Sequence, residues 1–253
     1  MDRRSKHKNI KQGCIMMSGK ENNSKAKTKT KRVMKSKSKP KLTDNAKEFL
    51  QKNKDFRMVG LCGPVNDDKT EEVLYKLLTL HEARIKQVPR DLTKQERKMF
   101  ESDPEAEFFV DLVDILQPID FIINTPGGSA LGMFALYDVM KMVQEDCDIN
   151  TFGLGSVMSA GVLLLAAGTK GNRKIGKNCR VMIHSVQSGT HGASHDIENE
   201  VTEIMYTQQQ YLAALVKETK MTEKQLDKMM ARKMNVYLSA EEAVKFGIAD
   251  IIV

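Results

Sequence analysis

One stretch constrains this chain more than any other: Gly153-Leu-Gly-Ser-Val-Met-Ser159-Ala-Gly161-Val-Leu-Leu-Leu-Ala-Ala-Gly168, sixteen residues without a single charge. A run this apolar has to be buried on all sides. Residues 149–153 predict a short strand, and residues 159–167 a buried helix of small and aliphatic side chains with Ser159 at its start. Gly153, Gly155 and Gly161 allow a tight turn and close backbone approach, and the helix start offers unpaired N–H groups to a negative charge. Twenty-five residues after Ser159, Arg180-Val-Met-Ile-His184 sets a histidine at the end of the next apolar run.

A serine hydroxyl becomes a nucleophile when a base takes its proton, and acyl transfer also needs donors for the oxyanion. Ser159, His184 and the glycine-rich backbone around them supply those types. Ser-x-Gly is half of a nucleophile elbow, whereas a serine at a helix start is by default an N-cap. A further strand, Phe121-Ile-Ile-Asn-Thr-Pro-Gly127-Gly128, ends in a glycine turn, and Met133, Leu136, Tyr137, Met140 and Val143 then recur at helical spacing. The carboxyl ends of such strands are where open α/β sheets bind ligands. Strand, glycine turn and helix repeat as though one layer were stacked on another, which makes the fold class α/β.

The strings Ile-Asn-Thr-Pro-Gly-Gly, Met-Ser159-Ala-Gly, Leu-Leu-Ala-Ala-Gly-Thr-Lys-Gly, Arg-Val-Met-Ile-His184 and Tyr237-Leu-Ser-Ala-Glu-Glu-Ala-Val-Lys-Phe-Gly-Ile-Ala-Asp250 follow one another in this order. Over roughly residues 56 to 253 the chain resembles the proteolytic subunit of the Clp protease, ClpP. The resemblance implies a crotonase-like fold of stacked strand-turn-helix layers with a protruding handle helix. It implies Ser159 as nucleophile, His184 as general base, and the Gly128 and Ala160 amides as the oxyanion hole. It also implies a homo-oligomer of stacked rings, commonly two heptamers, that takes peptide or unfolded protein from an ATP-dependent AAA+ unfoldase. The expected function is a serine endopeptidase acting through an acyl-enzyme.

Three segments depart from that pattern. The third triad member should be an Asp shortly before Tyr237, but counting back reaches Ala231 and counting forward from Thr219 reaches Met229. Asn235 and Asp227 are the polar candidates. Asn235, beside a strand, is the expected third member, orienting His184 through its amide carbonyl as in Cys-His-Asn sites. Residues 85–117, charge-dense and containing Pro89 and Pro104, predict a long inserted loop with one helical turn. Residues 1–42 hold 15 Lys and Arg against 2 acids, so a tail of +13 leaves a net −6 on a chain whose total is +7. That composition predicts a disordered polybasic tail over residues 1–45, with a protease domain over 46–253. Such a tail binds nucleic acid or an acidic partner, serves as a removable presequence, or is simply solvated.

Cys14, Cys62, Cys147 and Cys179 are scattered without a C-x-x-C pair, which suits a reducing cytoplasm and argues against a disulfide framework or zinc. His191 and His195 are four apart, but a glycine lies between them and no third ligand is near. Nothing in the sequence asks for a metal or an organic cofactor, and no window of 18 apolar residues suggests a membrane span. Ile197, Val201, Ile204, Met205, Gln208, Tyr211, Leu212 and Leu215 predict one long amphipathic helix. Three rival readings remain open: a catalytically silent ring scaffold, an acyl-CoA enzyme of the crotonase superfamily, and a dedicated processing enzyme such as a phage capsid maturation protease.

Overall fold

The computed structural model describes residues 14–17, 57–103, 108–189, 191–230 and 235–253. These residues divide into two compact units, one of residues 57–84 and the described part of 117–253, the other of residues 14–17 and the described part of 85–116.

The larger unit is built of strand–helix repeats. Strand β2 (Met58–Cys62) leads to α1 (Asp67–Glu82), whose first turn Asn66 caps by accepting from the Lys69 amide. Strand β5 (Ile119–Thr125) leads to α3 (Ala130–Val143), and β6 (Ile149–Met158) to α4 (Ala160–Ala166). The three strands pair in parallel, β2 on β5 and β5 on β6. Parallel neighbours need a crossover between them, and in β5 to β6 helix α3 supplies it. Beyond β6 come β7 (Lys174–Ile175) and β10 (Ile251–Ile252), giving the order β10-β7-β6-β5-β2.

Strand β6 is longer than the expected 149–153, and its two halves serve different partners. Phe152 and Gly153 pair with β7, whereas Ser156 to Met158 pair in parallel with β8 (Arg180–Ile183). The register against β5 shifts between Ile123 and Thr125. Asn124 fills the gap with Oδ1, which accepts from both the amide and the hydroxyl of Ser156. A bulge of this kind re-aims the strand that follows it, here toward β8 and Ser159. Antiparallel to β8 lies β9 (Val236–Leu238), followed by α7 (Ala240–Lys245), which begins with a Ser239–Glu242 capping box. Phe121, Ile123, Ile149 and the Leu163–Leu164–Leu165 run of α4 are fully buried, so the helical half of the uncharged stretch lies in the core as expected, whereas Leu154 in its first half is 39% exposed.

Helix α5 (Ser194–Glu218) is 25 residues long, and its buried residues, Tyr211, Ala214, Leu215 and Glu218, all lie in its last turns. Its upper half leaves Val201 46% and Met205 61% exposed. The lower end is fixed by charge. Glu218 is 2% exposed and accepts from Tyr137 Oη at 2.9 Å, with Lys141 Nζ at 2.8 Å and Lys170 Nζ at 3.2 Å. Burial pushes this carboxyl up, but the donors around it bring it below the usual range. Arg173 donates to the Glu218 carbonyl and forms a two-point pair with Asp250, 2.5 Å at the closer contact. Cations on the last carbonyls also complement the helix dipole. After α5 comes α6 (Glu223–Met230), which buries Leu226 and Met230.

In the smaller unit, β3 (Ile85–Pro89) pairs antiparallel with β4 (Phe108–Leu116), and β1 (Cys14–Met17) pairs with the other edge of β4. Helix α2 (Lys94–Ser102) begins with a reciprocal Thr93–Glu96 capping box, and Arg90 holds the same Glu96 at 2.6 Å. Residues 85–117 are therefore strands and a helix, not the expected long loop. The cue for the helix was local, since Thr93-x-x-Glu96 is a helix-start signature; β4 shows no alternation, its two acids, Asp111 and Asp114, standing three apart in an apolar run. Of the expected basic tail, Cys14–Met17 is β1; the rest lies outside the described residues. No helix among the described residues is long and apolar enough to cross a membrane.

Candidate active site

Ser159 sits between β6 and α4 with φ 53° and ψ −117°, and it is the only non-glycine residue with positive φ among the described residues. Side chains avoid that region, at a cost of about 1–3 kcal/mol, and such strain persists only where the surroundings impose it. Here the surroundings are backbone bonds. The Ser159 amide donates to the Met182 carbonyl on β8 at 2.8 Å, and its carbonyl accepts from the Val162 amide at 3.0 Å and from Tyr211 Oη at 3.1 Å. The hydroxyl makes no capping hydrogen bond, so this helix-start serine does not do the work of an N-cap.

The Pro126–Gly127–Gly128 turn lies against this residue. Thr125 Oγ1 accepts from the Gly127 amide, the Gly127 carbonyl accepts from the Val65 amide, and the Ser129 amide donates to the Val65 carbonyl. In that parallel bridge the Gly128 amide faces away from Val65. Gly128 has φ +150°, and a Cβ there would lie 2.2 Å from the Val65 carbonyl oxygen, so only glycine fits.

A cavity of about 330 Å³ is lined by Gly128, Ser159, Ala160 and His184, with Met133, Gln187 and Tyr211 among its other walls. All four residues expected of the nucleophile, base and oxyanion hole thus border one space. A larger cavity of about 440 Å³ lies between α3 and α5 and contains neither a serine nor a histidine. Strand β8 places His184 directly, because Ser159 is bonded to Met182 two residues before it.

The third position is different. His184 Nδ1 is buried without a hydrogen-bond partner among the described residues. Asn235 and Asp227 are both exposed, and no hydrogen bond joins either to His184. His191 and His195 are exposed as well, and the described residues contain no group of His, Cys, Asp and Glu able to hold a metal.

Two residues that work at this site were anticipated only as parts of an apolar stripe. Tyr211 reaches the Ser159 carbonyl, and Gln208, one turn earlier, accepts from the Val186 amide at 2.6 Å, two residues beyond His184. Helical periodicity indicates the face they occupy but not the polar atom each presents.

Comparison with known proteins gives the family. The Clp protease family model matches residues 97–253. The chain is 38% identical over 139 residues to the ATP-dependent Clp protease proteolytic subunit 1 of Thermobifida fusca, covering 54% of this chain and 61% of that protein. It is 36% identical over 141 residues to the proteolytic subunit 2 of Chlamydia pneumoniae, covering 55% of this chain and 67% of that one. With subunit 4 of Rhodococcus jostii the identity is 36% over 137 residues, 54% of this chain and 69% of the relative. The chain thus spans less than two thirds of the length of the Thermobifida fusca relative.

Proposed function

Because this chain belongs to the Clp protease family, we propose that it is a serine endopeptidase that cleaves peptide bonds through an acyl-enzyme. The observation that carries the reading is Ser159: strained, uncapped, and sharing one cavity wall with His184 and with the Gly128 and Ala160 backbone. His184 takes the Ser159 proton as the hydroxyl oxygen attacks the scissile carbonyl. The Gly128 and Ala160 amides receive the charge on the carbonyl oxygen as the tetrahedral intermediate forms. His184 then protonates the leaving amine, and water resolves the ester by the same steps in reverse.

In this reading residues 46–253 form the protease domain, and α5 is a handle. Its exposed Val201 and Met205 suit contact with further copies of the chain in a ring, with an AAA+ unfoldase supplying unfolded protein. One observation favours a second reading, a silent ring scaffold: among the described residues Nδ1 of His184 has no partner, and none of them orients the base as a triad acid would.

A fluorophosphonate probe separates the two. Labelling of the purified chain at Ser159, abolished by Ser159→Ala and reduced by about 100-fold or more in His184→Ala, supports the peptidase. A chain that assembles but does not label is the scaffold.

A further inference from the structure

Rotation of a single peptide plane governs one half of the proposed oxyanion hole. The Ser159 carbonyl and the Ala160 N–H belong to one trans peptide, so the direction of the first fixes the direction of the second. That plane is under opposed strains. Turning it so that ψ of Ser159 leaves −117° for the left-handed well relieves Ser159 but drives Ala160, the first residue of α4, out of helical φ. With neither end at rest, whatever grips the carbonyl decides the tilt. Two donors do so: the Val162 amide, which belongs to the first turn of α4, and Tyr211 Oη, which comes from another helix.

We propose that Tyr211 is a positioning residue for the oxyanion-binding amide: by holding the Ser159 carbonyl, its hydroxyl keeps the Ala160 N–H aimed into the cavity. The proposal rests on the reading of Ser159 as nucleophile. Tyr211 is suited to the task in three ways. It is 3% exposed, so water competes little with the Ser159 carbonyl for its hydroxyl. Burial pushes the phenol up, so it stays protonated and remains a donor. Its helix is fixed two turns further on, where Glu218 is held by Tyr137, Lys141 and Lys170, so the ring cannot follow the carbonyl if that carbonyl moves. The ring also lines the cavity, which separates two roles that a test must tell apart: shaping the pocket and aiming the amide.

The variant Tyr211→Phe in the full chain keeps the ring and removes only the donor. Because Val162 still holds the carbonyl, the loss should be smaller than the ~100- to 1000-fold of deleting an oxyanion donor outright. With a short fluorogenic peptide, kcat is expected to fall about tenfold and KM to stay within about twofold, the pattern of an interaction made only in the transition state. A peptide aldehyde, whose adduct carries the oxyanion, should bind more weakly by the same factor as kcat. The matching carboxamide, which forms no adduct, should bind unchanged. Replacement of Tyr211 by 4-aminophenylalanine, which keeps a donor at that place, should restore the rate. A kcat within twofold of the parent overturns the proposal, as does a loss carried by KM or equal weakening of both inhibitors. A parent chain that neither cleaves nor labels overturns the nucleophile reading and this one together; a parent that labels at Ser159 no faster than Tyr211→Phe overturns this one alone.

Discussion

A Cβ on Gly127 would lie 2.5 Å from the Cβ of Ser159 and 3.1 Å from its hydroxyl oxygen. The glycine turn is therefore packed against the proposed nucleophile, and the space between them admits no side chain. Gly127 also has φ +97°, which an L side chain rarely adopts. We predict that Gly127→Ala displaces either the turn or Ser159, lowering peptidase activity and fluorophosphonate labelling by about 100-fold or more and stability by ~2–4 kcal/mol. Activity assays and thermal unfolding on the same preparation test this, and full labelling at an unchanged melting temperature would refute the close approach.

The strain at Ser159 leads to the opposite result at the neighbouring position. Ser159→Gly should abolish peptide cleavage, and it relieves the φ of 53°. Glycine gives back part of that relief through the entropy of the unfolded chain, so the net gain is expected to be about 1 kcal/mol. Ser159→Ala keeps the strained φ and gains nothing by this route. Chemical denaturation of both variants beside the parent chain checks the prediction, and equal stabilities for the two would mean that the geometry is not strained.

What the sequence disclosed and what it hid divide along physical lines. The uncharged run around Ser159, the Gly-Gly turn and the histidine closing an apolar strand are local patterns, and the structure brings Ser159, His184, Gly128 and Ala160 to one cavity. The stripe of α5 was legible as periodicity. The polar errands of Tyr211 and Gln208 were not, because they depend on which strand ends face that helix. Residues 85–117 read as a loop because prolines and dense charge outweighed one weak signal, the capping box at Thr93, and because β4 lacks the alternation that marks a half-buried strand. The third position illustrates a different limit: counting along the chain cannot show that His184 Nδ1 would be buried and unpartnered.

That unpartnered nitrogen makes Asn235 and Asp227 testable. An exposed side chain with no hydrogen bond to His184 contributes nothing to holding the imidazole. Asn235→Ala and Asp227→Ala should each leave the labelling rate of Ser159 within about threefold of the parent, against the ~10⁴-fold loss seen when a true triad acid loses its role. A fall of 100-fold or more in Asn235→Ala would restore that residue as the third member: it stands next in register after the Ile183–Val236 pair, so only its side chain would have to turn onto the His184 imidazole.

Strong acid should weaken the fold through the Arg173–Asp250 pair. The Arg173 guanidinium, donating to both carboxylate oxygens, pulls the Asp250 carboxyl down to about 2 from an ordinary value of 3.8. A carboxylate with a depressed pKa stabilises the fold fully above its unfolded value and loses that contribution as pH falls through the folded value, here between about 4 and about 2. Removing the charge strands Arg173, whose side chain is only 4% exposed and which also holds the carbonyl that ends α5. Asp250→Asn should therefore cost ~2 kcal/mol near neutral pH, discounted from the ~3–5 kcal/mol of a fully buried pair because Asp250 is 22% exposed. For a unit of this size that is a fall of about 4–8 °C in melting temperature. The gap between parent and variant should narrow as the pH is lowered from 4 toward 2, where the parent loses the same charge. Thermal unfolding across that range decides the matter, and a gap that stays constant with pH would mean that the pair contributes through packing and not through its charge.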